Sequence, residues 1–264
     1  MSIFEDTLDH YAINNELSDS NIYFKLIFTF ITLIVNLIAQ SYVVPIIIFI
    51  VSTVIIVYVA KISYKVYAAF MATPIGFGLI SVVFMAFFFG VGPHIFELGI
   101  FGWGVTAAGF NLGILLFARI LGGVSCIGIL VLTTPMNRIF AIADDLKIPK
   151  TVTDIALLMY RFIFMFLDVT LQMYHAQKTR LGYSDYRNSF HCLGMLAGMV
   201  FIRTWDQGDI SYNALKSRGY DGEINLLSES ESISDIPIKN IVLLIIFEAL
   251  LIIGIIYIGN LTIL

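Results

Sequence analysis

Long apolar runs alternate with short polar connections along this chain, and the pattern predicts membrane-spanning helices. The apolar runs cover residues 23–40, 42–59, 66–89, 110–132 and 238–258. Each reaches the roughly 17 apolar residues that an α-helix needs to cross the hydrocarbon core of a bilayer. We therefore predict an all-α integral membrane protein with about five transmembrane helices.

The segment between the fourth and fifth runs has a different pattern, which predicts two long helices. Its first half carries apolar residues at alternating spacings of four and three, namely Ile155, Met159, Phe162, Phe166, Val169, Met173 and Ala176. A second stripe with the same periodicity follows, namely Phe190, Leu193, Ala197, Val200 and Phe201. This spacing places the apolar side chains on one face of a helix.

These patterns divide the chain into four parts. We predict that residues 1–22 form a cytoplasmic lead-in and that residues 23–134 form transmembrane helices 1 to 4. Residues 135–237 are predicted to form a cytoplasmic domain, and residues 238–264 the C-terminal transmembrane helix.

The distribution of Lys and Arg predicts the orientation of the chain in the cell membrane. Basic residues follow the second apolar run and recur through residues 135–237, whereas the connection at residues 90–109 has none. Because basic loops favour the cytoplasmic side, we expect the N-terminus inside and the C-terminus outside. If residues 155–173 crossed the membrane, a basic group would move outside, so this apolar helix is predicted to stay at the cytoplasmic face.

Composition supports the membrane class and argues against several chemistries. The chain is 59% hydrophobic and 13% charged, whereas about a quarter of a soluble domain is charged. It has no G-x-x-x-x-G-K-[ST] pattern, so it cannot hydrolyse ATP alone. Its four His residues do not form a close metal-ligand spacing. We expect no catalytic residue, no metal site, no cofactor and no nucleic-acid partner.

Each predicted long helix ends at an Arg that precedes a Gly, in Thr179-Arg180-Leu181-Gly182 and in Ser217-Arg218-Gly219. One interpretation is local, because an Arg in the last turn compensates the helix dipole and a Gly lets the chain turn. The other is functional, because a guanidinium at a helix end can anchor in the groove of a partner and donate several hydrogen bonds.

Arg119 and Glu248 are charged residues inside apolar runs. A charge at the bilayer centre costs at least ~2.5 kcal/mol on insertion scales, so such residues face protein and often find partners. The two residues lie at similar depth on helices that run in opposite directions, and we predict that they form an intramembrane ion pair. The functional alternative is an ion or proton path.

Several short motifs follow one another along the chain. Those in the first half are Leu8-Asp9-His10-Tyr11-Ala12, Lys25-Leu26, Arg119-Ile120-Leu121 and Leu132-Thr133-Thr134-Pro135. Those in the second half are Leu146-Lys147-Ile148-Pro149, Tyr160-Arg161-Phe162-Ile163, His175-Ala176-Gln177-Lys178-Thr179-Arg180 and Ala214-Leu215-Lys216-Ser217-Arg218-Gly219-Tyr220. As an ordered set, they resemble the transmembrane T component of energy-coupling factor transporters, and within it the CbiQ-type subunit of cobalt uptake systems.

The resemblance implies a non-catalytic coupling subunit whose residues 135–237 contain two long crossing helices and a shorter one. It implies that the arginine-bearing helix ends dock into grooves of two ATP-binding-cassette ATPase subunits (CbiO-like). The other expected partners are the lipid bilayer and a substrate-binding membrane subunit (CbiM-like, with or without a CbiN-like subunit). The docking residues carried over from the resemblance are Ala176, Arg180, Gly182, Ser217, Arg218 and Gly219.

The chain departs from the family pattern at Leu181, which stands between Arg180 and Gly182, and in a minor way at Ser217, which stands in place of an Ala. Two alternatives to a cobalt (or nickel) coupling subunit stay open. The first is a T component that serves vitamin-binding subunits. The second is a stand-alone membrane channel or enzyme, although an enzyme needs a convergent set of reactive groups and a channel needs more intramembrane polar groups.

Overall fold

A computed structural model describes residues 11–13, 15–18, 20–89, 94–97, 104–145, 148–220 and 236–258. The described residues form two compact units. One, which we call the membrane unit, contains the residues up to Pro135 together with those from 236 onwards. The other, which we call the two-helix unit, contains those from Met136 to Tyr220.

The membrane unit contains five apolar helical segments. They are α1 (Ile22–Ile38), α2 (Val43–Val54, continued by a π-helical turn at Ile55–Val59), α3 (Tyr64–Phe88), α4 (Ala107–Thr133) and α8 (Ile238–Ile258). Helices α1 and α4 begin at side-chain caps, because Asn21 and Thr106 accept hydrogen bonds from the N–H groups of Phe24 and Gly109.

The predicted all-α membrane fold is confirmed, with bounds within a few residues of the apolar runs. The helices Tyr64–Phe88, Ala107–Thr133 and Ile238–Tyr257 are long and apolar enough to cross a bilayer, and Ile22–Ile38 and Val43–Val59 are shorter apolar helices. Large apolar side chains cover the outer surface of this unit, as expected for a surface that faces lipid.

The connection at residues 90–109 holds an element that the sequence did not predict. Two short antiparallel strands, β1 (His94–Glu97) and β2 (Gly104–Thr106), pair with Phe96 opposite Val105 and lead directly into α4. Strands of three or four residues are too short to show a clear alternation of apolar and polar positions.

Helix α4 packs closely against its neighbours because it carries glycines at the contacts. A Cβ atom on Gly122 would lie 2.8 Å from the Pro45 carbonyl oxygen and 2.8 Å from Asn36 Oδ1. The Asn36 amide also donates to the carbonyl oxygen of Arg119 at 3.0 Å. Small residues allow membrane helices to approach in this way and to form hydrogen bonds across the contact.

The two-helix unit contains α5 (Met136–Asp145), α6 (Lys150–Thr179) and α7 (Tyr186–Ser217). Two long helices and a shorter one are therefore present, as the resemblance implies. Helix α6 begins at Lys150 after Pro149, and no side chain caps it. A Pro before the first turn suits a helix start, since its φ angle is fixed near the helical value.

Parts of two sequence motifs lie outside the described residues, namely residues 8–10 of the first motif and Leu146 and Lys147 of the fifth.

Replacing Gly122 by Ala is expected to destabilise the membrane unit by ~1–3 kcal/mol, because the Pro45 carbonyl cannot rotate away from the added methyl group. Thermal unfolding in detergent measures the change. Gly76→Ala is the matched control, because a Cβ atom there meets nothing within 4 Å. Equal unfolding temperatures for the two variants would contradict the close contact at Gly122.

Candidate functional site

The first arginine-bearing helix end is a closed turn that satisfies its own carbonyl groups. Arg180 is the C-cap of α6, and Leu181 follows with a φ angle of 58°. The N–H of Leu181 donates to the Lys178 carbonyl at 3.1 Å, and the N–H of Gly182 donates to the Gln177 carbonyl at 3.0 Å. This pair of hydrogen bonds is the Schellman motif, which ends many helices.

The second arginine-bearing end repeats the same turn. Arg218 is the C-cap of α7, and Gly219 follows with a φ angle of 81°. The N–H of Gly219 donates to the Lys216 carbonyl at 3.1 Å, and that of Tyr220 donates to the Leu215 carbonyl at 3.1 Å. Both arginines therefore occupy the same position in the same motif.

The two turns correct how the first motif is aligned with the second. Leu181, not Gly182, takes the left-handed position that Gly219 takes in the second turn. Gly182 instead corresponds to Tyr220, since the N–H of each donates to the carbonyl of the residue five positions earlier, Gln177 or Leu215. The sequence suggested a residue inserted into the motif, whereas the backbone geometry is conserved between the two ends.

Gly182 is required for a different reason, which is the close approach of α7. A Cβ atom on Gly182 would lie 2.7 Å from Cys192 Sγ and 3.0 Å from the Gln177 carbonyl oxygen. Cys192 is one of the few buried residues of α7. Gly182 therefore lets the turn after Arg180 pack directly on α7.

Gln177 fastens this first turn to α7. Its side-chain amide donates to the Cys192 carbonyl at 3.2 Å, and its Oε1 accepts from the Tyr183 hydroxyl at 2.7 Å. Desolvation, and then the neighbouring Cys192 and Tyr174 groups, raise the pKa of Tyr183 above its ordinary value. The second turn lacks this support, since a Cβ on Gly219 would meet nothing within 4 Å.

The side chains of Arg180 and Arg218 are exposed, and neither makes a hydrogen bond or ion pair within the part of the chain that the structure describes. Nearby carbonyls are satisfied locally. Ala176 accepts from the Thr179 hydroxyl at 2.9 Å, and Asn213 accepts from the Ser217 hydroxyl at 2.8 Å. Neither guanidinium is therefore needed to hydrogen-bond the end of its own helix.

Much apolar surface of α6 and α7 is uncovered. Side chains that are at least half exposed include Ile155, Met159, Phe190, Phe201, Trp205, Ile210 and Tyr212. Thr170 of α6 and the stretch from Leu193 to Thr204 of α7 line an open groove of about 520 Å³. Exposed apolar surface of this extent is characteristic of interaction sites.

The predicted ion pair between Arg119 and Glu248 is wrong. Arg119 donates through Nε and Nη2 to the Ala39 carbonyl, at 3.2 and 2.6 Å. Glu248, which is 5% exposed, accepts from the Thr32 hydroxyl at 2.6 Å. Both residues lie at a similar depth along their helices, but depth alone does not determine which neighbouring helix a side chain faces.

Arg119 belongs instead to a reciprocal arrangement between α1 and α4. Arg119 of α4 binds the carbonyl of Ala39, the C-cap of α1, and Lys25 of α1 donates to the carbonyl of Thr133, the last residue of α4, at 2.9 Å. Lys25 also donates to the Leu17 carbonyl of the lead-in. Cations are favourable at helix C-termini, so each helix supplies the cation that caps the other.

Metal ligands do not gather in the described part of the chain, where no group of three or more His, Cys, Asp or Glu residues could hold a metal ion. His175 and His191 are both exposed residues of the two long helices, whereas His10 lies outside the described residues.

The apolar helices of the membrane unit are those of a multi-pass membrane protein. A sequence profile of the family described as cobalt transport protein, CbiQ, matches residues 14–228. The chain therefore belongs to the CbiQ family.

Relatives in archaea and bacteria support this assignment. An uncharacterized protein of Methanocaldococcus jannaschii is 38% identical, covering 93% of this chain and 91% of its own length. A putative fused cobalt transport protein, CbiMQ, of Methanocorpusculum labreanum is 28% identical over 91% of this chain and 41% of its own length. The cobalt transport protein CbiQ of Salmonella typhimurium is 30% identical over 63% of this chain and 76% of its own.

A double-mutant cycle tests whether Arg119 and Glu248 have separate partners. Because the two side chains have separate partners, Arg119→Leu and Glu248→Leu are expected to have additive effects on the free energy of unfolding, within ~0.5 kcal/mol. The control cycle pairs Thr32→Val with Glu248→Leu, since these residues share a hydrogen bond. Strong coupling in the first cycle and none in the second would contradict the structure.

The packing of the first turn is tested by Gly182→Ala. The added methyl group clashes with Cys192 Sγ and is expected to cost ~1–3 kcal/mol of unfolding free energy. Cys192→Ala should restore part of this loss by removing the sulfur atom. Gly198→Ala on α7 is the control, because a Cβ atom there would meet nothing within 4 Å. Failure of Cys192→Ala to restore any stability would contradict the contact.

Proposed function

We propose that this chain is the transmembrane coupling subunit of an energy-coupling factor importer. Two ATP-binding-cassette subunits dock on Arg180 and Arg218, and the chain transmits their ATP-driven motion to a substrate-binding membrane subunit. The chain itself performs no catalysis. The docking set comprises Ala176, Arg180, Gly182, Ser217, Arg218 and Gly219, with Leu181 in the left-handed position of the first turn.

Two properties of the arginine-bearing helix ends, their hydrogen bonding and their exposure, support this proposal. At each end, two carbonyls accept hydrogen bonds from backbone N–H groups of the turn, and both arginines are exposed. A planar guanidinium presents five donors that match carboxylates or a row of carbonyls. The arginines are thus available to a partner without loss of a helix cap.

The uncovered surface of α6 and α7 supports a role that is completed by other subunits. Among the described residues of α7, only Cys192 and Leu196 are buried. A helix that buries so little within its own chain is expected to gain stability from partners, because most helical stability in proteins comes from packing of an apolar face. Force applied at Arg180 passes to α7 through Gln177, whose amide binds the Cys192 carbonyl.

Relatives favour cobalt as the transported substrate. One is named a cobalt transport protein, and in another the CbiQ-like part is joined to CbiM in a single chain. A fused relative suggests that the two parts act together, so we assign a CbiM-like subunit as the substrate-binding partner. Nickel, or a vitamin-binding subunit in place of CbiM, is the second candidate.

The charge distribution supports the orientation that this role requires. With the N-terminus inside and the C-terminus outside, the two-helix unit lies in the cytoplasm, where ATPase subunits and ATP are found. The basic residues of α6 and α7 then lie on the cytoplasmic side, as the positive-inside rule requires.

Affinity purification from native membranes tests the docking role. The wild type is expected to bring down an active ATPase, and Arg180→Glu combined with Arg218→Glu is expected to lose it, because the reversed charges repel the acceptor groups of the grooves. Identification of the copurified proteins and an ATPase assay provide the measurement.

Arg161→Glu combined with Arg203→Glu is the matched control, with one exposed charge reversed in the middle of each helix. This variant should retain the ATPase. If all three forms copurify the same amount of ATPase, or if the wild type purifies alone with turnover of its own, the coupling role is wrong.

A further inference from the structure

The left-handed position of the first turn is occupied by a residue that is poorly suited to it. Leu181 has a φ angle of 58°, whereas the equivalent Gly219 has 81°. Side chains with a Cβ atom are disfavoured in this region, and a branched residue such as Leu has no polar group to compensate locally. Glycine would form the same turn without strain.

The side chain of Leu181 is largely uncovered by the described part of its own chain. Its side chain is 74% exposed, the highest value among the exposed leucines of the described residues. A leucine that stabilised the turn by packing would be covered by neighbours, as Cys192 is at the adjacent Gly182. The strained backbone therefore presents an apolar side chain to the outside, directly beside Arg180.

We propose that Leu181 is a binding and specificity residue for the ATPase subunit that receives Arg180. This inference rests on the proposed docking role. Consecutive Cα atoms are about 3.8 Å apart, so a groove that holds the Arg180 guanidinium also meets the Leu181 side chain. The groove then offers an apolar pocket next to the acceptors of the guanidinium.

A consequence is that the two docking ends are unequal. The first end is fastened to α7 through Gln177 and carries an arginine with a leucine. The second end has open space around Gly219 and carries an arginine alone. An ATPase subunit therefore binds the first end more tightly, and Leu181 accounts for the difference.

Leu181→Gly tests this inference because glycine keeps the turn and removes only the side chain. We expect the apparent affinity of the detergent-solubilised chain for its purified ATPase to fall about 10-fold or more, the loss of one buried leucine contact. The unfolding temperature of the chain alone should stay the same or rise, since the strain is relieved. Leu181→Asn, which tolerates the same φ angle, should bind equally weakly.

Leu243→Ala is the matched control, because it removes an exposed leucine side chain of α8 in the membrane unit without touching either turn, and it should bind like the wild type. Wild-type affinity in Leu181→Gly, with binding lost in Arg180→Glu, would overturn the role of Leu181 and leave the docking role intact. Unchanged binding in both variants would refute docking itself. A lower unfolding temperature in Leu181→Gly would assign Leu181 to the fold and would also overturn the inference.

Discussion

The carbonyl groups at helix C-termini are the constraint that organises both units. The last four carbonyls of a helix have no donor within it, and in an apolar environment each must find one. In the membrane unit, side-chain cations from neighbouring helices supply donors, as Arg119 does at Ala39 and Lys25 at Thr133. In the two-helix unit, backbone N–H groups of a Schellman turn supply them.

This difference explains why the same residue type serves two purposes. Arg119 is committed to structure, because removing it would leave a buried carbonyl without its donor. Arg180 and Arg218 do not have this structural role, since backbone hydrogen bonds close both turns without the guanidinium groups. The exposed apolar faces of α6 and α7 fit the same division, because the membrane unit packs internally whereas the two-helix unit leaves many apolar side chains uncovered.

Periodicity and charge predicted most of the fold from the sequence, because a bilayer imposes long apolar helices whose ends are visible as polar residues. They also located Arg180 and Arg218, since Arg before Gly is a recognisable helix end. They missed the partners of Arg119 and Glu248, because sequence gives the depth of a residue but not its direction. The sequence did not show that Leu181 takes the left-handed position of the turn. This position is evident only from the hydrogen bond that the N–H of Gly182 donates to the Gln177 carbonyl.

Photo-cross-linking in native membranes tests the central claim most directly. A photoreactive side chain at Thr179 or Ser217 lies immediately before an arginine and leaves both arginines in place. If the two arginines dock, each position should cross-link to an ATPase subunit, and a photoreactive group at Ala197 in the middle of α7 should not cross-link to one. Cross-links to an ATPase subunit from Ala197 alone, or from neither helix end, would contradict docking at the two arginines.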